Sequence, residues 1–149
     1  MKKITLILLI SLLLTACTNS QKEISLYYYK QALDPNFSCQ EEAFLPVFRK
    51  ITPSSNIYFD TINLLISGDL SKSEIKEGFS TEFPHPDFKI INAELNQEGT
   101  LFLEFTEVAN FTSGGSLRMQ ILRNQIEKTA LQFPEVENVI MNNDEIFQP

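Results

Sequence analysis

The residues able to do chemistry are few, and each has a plain structural explanation beside the chemical one. His85, the chain's one histidine, stands between Pro84 and Pro86, which favour an extended, solvated loop. A nucleophile–base pair would need a serine or Cys39 beside it and a third group to orient it, and no Gly-x-Ser-x-Gly elbow occurs. Glu41-Glu42, Glu104, Glu107 and Asp144-Glu145 could supply two carboxylates for glycoside hydrolysis if held about 5–9.5 Å apart in a cleft. With 19 acids in the chain, some pair falls close by chance, and Glu104 sits where a solvated strand face calls for a charge anyway. Asp144 and Glu145 do not complete a calcium loop of EF-hand spacing. Gly114-Gly115-Ser116 could cradle an anion on free amides. The motif lacks both the lysine of a phosphate loop and the spacing of a dinucleotide fingerprint. The glycines are therefore read as a sharp turn and Ser116 as a helix cap. One His and two Cys are too few for a zinc or iron–sulfur site within one chain. No catalytic residue, metal or cofactor is assigned.

Cys17 is the one residue with a specific chemical context. Lys2 and Lys3 precede an apolar run, Ile4 to Leu14, that is too short for a membrane-spanning helix of about 20 residues but suits a signal peptide. The run ends in Leu14-Thr15-Ala16-Cys17, which resembles the bacterial lipobox, whose cysteine thiol takes a diacylglycerol and before which the signal is cut. The expected organisation is a lipoprotein signal peptide over 1–16, a lipidated Cys17 and short tether over 17–22, and one domain over 23–149. Several acyl chains, palmitate among them, would anchor the protein firmly to the extracytoplasmic face of a bacterial cell membrane. Thr18 to Lys22 reaches at most about 18 Å, so the domain is expected to ride close to the bilayer.

The chain is 149 residues long, with 43% hydrophobic residues, no Trp and a formal net charge of −7. That length fits one domain, and the apolar share excludes global disorder. The acidic balance argues against a nucleic-acid partner, since binding phosphate backbones takes concentrated Lys and Arg. Loss of residues 1–16 removes Lys2 and Lys3 and no acid, making the mature chain more acidic still.

The elements that must position these residues read as follows. Ile24, Leu26 and Tyr28 alternate with Ser25, Tyr27 and Tyr29, a strand pattern, and Asp34-Pro35-Asn36 is a turn. Ala43 to Ile51 is a second extended run, with Pro46 marking an edge strand. Pro53-Ser54-Ser55 opens a helix whose Tyr58, Ile62, Leu65 and Ile66 share one face, ended by Gly68. Ser71 to Glu77 adds a turn. Phe88 to Leu95 and Leu101 to Phe105 form a hairpin about Asn96-Gln97-Glu98-Gly99. Met119, Leu122, Ile126, Ala130 and Phe133 make the stripe of a second helix that Pro134 ends. Val136 to Met141 is a last strand, followed by a turn at Asn142-Asn143-Asp144. The order ββαββαβ predicts an α+β fold, a mixed or antiparallel sheet with two main helices packed on it.

The ordered set of motifs resembles the GerMN domain, named for a spore-germination protein. Leu26-Tyr27-Tyr28-Tyr29 with Leu33-Asp34-Pro35, Ile62 to Gly68 with Glu77-Gly78-Phe79-Ser80 and Pro84, and Leu101 to Glu104 with Gly114-Gly115-Ser116 carry the resemblance. So do Gln125-Ile126 through Thr129 with Gln132-Phe133-Pro134 and Val136 to Val139. It implies a compact α+β module similar to the ring-building motifs of secretion and sporulation complexes, and no catalytic residues. Similar lipoproteins often carry a cysteine near Cys39 and a second directly after the Gly-Gly-Ser, where this chain has Leu117. Cys39 then either packs as a small buried hydrophobe, the favoured reading, or pairs with another chain.

The function expected from all this is a lipid-anchored, extracytoplasmic, non-catalytic module that binds a protein or cell-wall partner of the envelope. Tyr27 and Tyr29 are read as an exposed aromatic pair and the candidate interface. A small envelope hydrolase acting on peptidoglycan or polysaccharide through Glu104 and Asp144 is the alternative. Self-association into a ring or scaffold is the second.

Overall fold

The computed structural model describes residues 21–147; residues 1–20, on which the expected signal peptide, the lipidation at Cys17 and most of the expected tether fall, lie outside the described residues. Five strands and three helices follow one another as β1 (Lys22–Tyr29), β2 (Phe44–Ile51), α1 (Ile57–Ile66), α2 (Lys72–Lys76), β3 (Ile90–Leu95), β4 (Thr100–Phe105), α3 (Ser116–Ala130) and β5 (Asn138–Met141). The expected α+β class and element order hold, with α2 added as a single capped turn. The strands divide between two sheets: an antiparallel pair β1-β2, and a mixed sheet β3-β4-β5 in which β4 runs antiparallel to β3 and parallel to β5. No helix among the described residues is long and apolar enough to cross a membrane.

One core joins both sheets. Leu26 and Tyr28 from β1, Ile62 and Leu65 from α1, Leu101 and Leu103 from β4, Leu122 and Ile126 from α3, and Met141 from β5 are almost wholly buried. Each of the leucine, isoleucine and methionine side chains contributes about 1.5–3 kcal/mol by leaving water. The alternation in β4 is complete: Leu101, Leu103 and Phe105 point inward while Phe102 and Glu104 face solvent.

Pro46 sits in mid-strand without damage to the ladder. It lies opposite Tyr27, whose N–H points away from β2 and donates to Thr129 Oγ1 of α3 at 2.9 Å. Opposed residues of an antiparallel pair share one orientation, so the amide hydrogen that Pro46 lacks would have faced outward. The outer side of β1 is closed by side chains of the α3 region. Gln132 accepts from the Ser25 N–H and donates to the Ser25 carbonyl, both at 2.7 Å, and further along the Ser80 N–H donates to the Tyr29 carbonyl at 2.8 Å.

The helix ends differ slightly from expectation. Asn56, and not the Pro53-Ser54-Ser55 run, caps α1, accepting from the Phe59 N–H at 3.0 Å. Gly68 adopts φ +68° after α1, and a Cβ there would run into the Phe83 carbonyl. Gly115 is the residue before α3 and Ser116 is already helical. The expected Ser116 cap is thus corrected: extended backbone at Gly115 places it in the cap position one residue earlier, a place glycine also fills well.

Candidate interaction site

The outer face of β3-β4-β5 is open to solvent and concave. A cleft of about 410 Å³ runs across it, with Phe102 and Ile140 in its lining beside Asn92 and the carboxylates of Glu104, Glu107 and Glu145. Strand alternation sets this arrangement: filling the core with Leu101, Leu103 and Phe105 puts Phe102 and Glu104 on the opposite face. Phe102 is 39% exposed, large for an aromatic with no covering element.

The rim of the cleft is an unusual backbone turn. Asn142, Asn143 and Asp144 follow β5 with φ of 44°, 53° and 63°, three successive residues in the left-handed region. Non-glycine residues visit that region singly at a cost of about 1–2 kcal/mol each, with Asn and Asp the most tolerant. The turn is held from both sides. The Asn142 amide accepts from the Phe105 N–H at 2.8 Å and donates to the Phe105 carbonyl at 2.9 Å, prolonging the β4–β5 pairing with a side chain once the backbone has turned away. Asp144 pairs with Arg123 of α3 at 3.1 Å, and Ile146 and Phe147 plug the chain back into the core. Glu145 and Asn143 are left facing the cleft.

Among the described residues, none that lines this cleft is basic. Among the described residues the ion pairs engage Asp69, Glu74, Glu82, Glu127, Asp144 and Glu41; Glu104, Glu107 and Glu145 are in none of them. Nor, among those residues, do three His, Cys, Asp or Glu side chains gather as a metal site. Glu104 and Asp144, the two acids a hydrolase would pair, are used differently: Glu104 lines the cleft, while Asp144 is turned to Arg123.

The other organised polar centre is internal. Asp34 is 0% exposed and its carboxylate accepts from the Ser38 N–H and hydroxyl at 2.9 and 3.0 Å, the Cys39 N–H at 2.7 Å, and the Tyr29 hydroxyl at 3.0 Å. Burial pushes its pKa up, but these hydrogen bonds outweigh that and hold it down at about 2. They lock a loop in which Phe37 and Cys39 take φ of 53° and 58°. Burial, and then the charge of Asp34, push the Cys39 thiol up. Its Sγ accepts from the Asn124 amide at 3.4 Å, and the side chain is half-buried against the cluster of Tyr29, Ala43 and Phe44.

This centre overturns the exposed aromatic pair. Tyr29 is only 5% exposed, its ring packs on Phe44 at 5.4 Å, and its hydroxyl is raised to about 12 by burial and by Asp34. Tyr27 is half-buried against the same small cluster of Tyr29, Ala43 and Phe44. Alternation predicts one solvated face of β1, but Cys39 of the Asp34 loop and Ile121 of α3 pack against that face. His85 is half-buried, stacked on Phe111 at 4.5 Å, and accepts on Nδ1 from the Asp87 N–H at 3.3 Å; no serine or cysteine is bonded to it. Gly114 (φ +152°) and Gly115 shape the entry to α3.

Sequence reasoning missed three things. The Asp34 carboxylate was seen only as a turn residue. Arg49 of β2 forks onto Glu74 at 2.9 and 2.8 Å and reaches Asp69 at 2.6 Å, tying β2 to α2 across 25 residues. The Asn142 backbone mimic had one visible signal, the run of three left-handed-tolerant residue types.

The architecture is that of a GerMN-type α+β module. It is similar to the tandem GerMN domains of the sporulation protein GerM from Bacillus subtilis, with a TM-score of 0.55 at 18% identity over 85% of this chain. The match covers 40% of the length of that solved chain. The Germane family model, sporulation and spore germination, matches residues 25–144, and the chain belongs to that family. No curated protein sequence matches it.

Proposed function

We propose that this protein is a non-catalytic interaction module of the bacterial cell envelope, held by acylated Cys17 at the extracytoplasmic membrane face, with the open face of β3-β4-β5 as its docking surface for a protein or cell-wall partner. The observation that carries the docking surface is the concave sheet face on which Phe102 stands exposed beside three carboxylates that join no ion pair among the described residues. Family membership supports the sporulation and germination setting, and the Leu14-Thr15-Ala16-Cys17 motif supports the anchor. Tyr27 and Tyr29 belong to the packing that holds β1.

The test is photocross-linking from position 102 in native membranes, with a photoreactive residue at exposed Ile75 as the comparison. A discrete adduct from position 102 that position 75 does not give is expected; equal labelling from both removes this face as the docking surface. Mass spectrometry of the same material checks the anchor: a diacylglyceryl group on Cys17 is expected, and retention of residues 1–16 overturns it.

A further inference from the structure

We infer that the cleft on β3-β4-β5 receives an extended partner segment that presents lysine side chains, an inference that rests on that face being the docking surface. Three features of the cleft select this chemistry. First, Glu104, Glu107 and Glu145 line one concavity with no cation among its lining residues. A cleft of one charge sign focuses its field outward and favours a partner of opposite sign. Second, these acids are spread along the lining and do not gather as a metal site among the described residues. Several separated positive charges on one segment match them better than one compact ion. Third, Phe102 and Ile140 lie beside the carboxylates. A lysine lays four methylenes on apolar surface while its ammonium reaches outward to an acid. The exposed amides of Asn92 and Asn143 in the same lining are free to hydrogen-bond the backbone of such a segment, each offering a donor and an acceptor.

The rim turn fits this role. The three left-handed residues place Asn143 and Glu145 at the cleft while Asp144 is drawn off to Arg123. The side chain of Asn142 fixes that turn to Phe105 of β4, so the acids on the rim and on the floor are held on one rigid frame. A preorganised frame binds without the cost of ordering its own loop.

The experiment measures binding of the full chain, in detergent micelles, to a fluorescent decapeptide alternating lysine and threonine, and to the same peptide with every lysine acetylated. Acetylation keeps the stem and removes the charge. The combined variant Glu104→Gln, Glu107→Gln and Glu145→Gln is compared with Glu42→Gln, Glu77→Gln and Asp87→Asn, which removes equal charge from exposed sites elsewhere. Exposed ion pairs are individually weak, so the cleft variant is expected to lose about tenfold in affinity through three of them. Acetylation is expected to cost at least as much, and the control variant less than about twofold. Equal losses in both variants would mean unspecific attraction between opposite charges and would overturn the proposal, as would indifference to acetylation. The position-102 cross-link separates the two readings: an adduct there with no lysine dependence keeps the face and removes the ammonium chemistry, and no adduct removes both.

Discussion

Asp34 and Glu104 are both acids beside a strand, yet the two regions that hold them treat charge in opposite ways. Around β1 and β2 each prominent acid has a named internal partner. Asp34 collects hydrogen bonds from Tyr29, Ser38 and Cys39, and Glu74 meets the fork of Arg49. On the outer face of β3-β4-β5, Glu104, Glu107 and Glu145 line a cleft and, among the described residues, join no ion pair. The contrast teaches that the acidity of this chain is not one property. Acids in the first region hold the fold, and acids in the second leave it nearly untouched.

The largest effect expected from breaking this contrast is at Asp34. Asp34→Ala leaves the Cys39 and Ser38 amides without an acceptor and releases two left-handed residues, so it should lower the melting temperature more than any other single substitution named here. A melt unchanged from the parent would show that the loop does not depend on the carboxylate. Next comes Thr129→Val, which keeps the shape but leaves the Tyr27 N–H unpaired in a half-buried place. Urea unfolding should show a loss of about 1–3 kcal/mol.

The third test is acid titration. Glu74 is held at about 2, chiefly by the Arg49 hydrogen bonds, against an ordinary 4.5. Its folded state therefore takes up a proton later than its unfolded state does. Its contribution is complete above about pH 4.5 and is lost as pH falls toward 2. Asp34 acts in the same direction from 3.8. Stability should fall steadily from pH 5 to pH 2, and Glu74→Gln should flatten part of that slope. A fourth readout is thiol labelling. Burial and Asp34 disfavour the Cys39 thiolate, so a maleimide should react slowly with the native chain and fast after unfolding. The smallest effect closes the series: Glu104→Gln should change stability by no more than about 0.5 kcal/mol.

How much of this could be read from the residues divides along the same line. The β3–β4 hairpin was legible because Leu101, Leu103 and Phe105 alternate cleanly and Asn96 to Gly99 is a turn by composition. Both long helices were legible from their apolar stripes. Glu104 was placed correctly on the solvated side by that same alternation. Tyr29 was not, because period two tells which residues share a face of β1 but not whether a loop folds over the other face. Asp34 bonds residues four and five positions on, a pattern that its Asp-Pro-Asn turn does not announce. Arg49 and Glu74 lie 25 residues apart and meet only once the chain has folded, which no local pattern announces. The split into two sheets was equally hidden, since strand spacing does not reveal which edges stay unpaired.

The side-chain clamp on the outer edge of β1 carries a mechanical consequence. A load applied at Lys22 along the axis of β1 would have to shear the whole ladder to β2 together with the Ser25–Gln132 and Tyr27–Thr129 bonds. Hydrogen bonds of an antiparallel pair lie across the strand direction and cannot open one at a time under such a pull. Against a pull in that direction the strand is held on both edges at once, by β2 on one side and by Thr129 and Gln132 on the other.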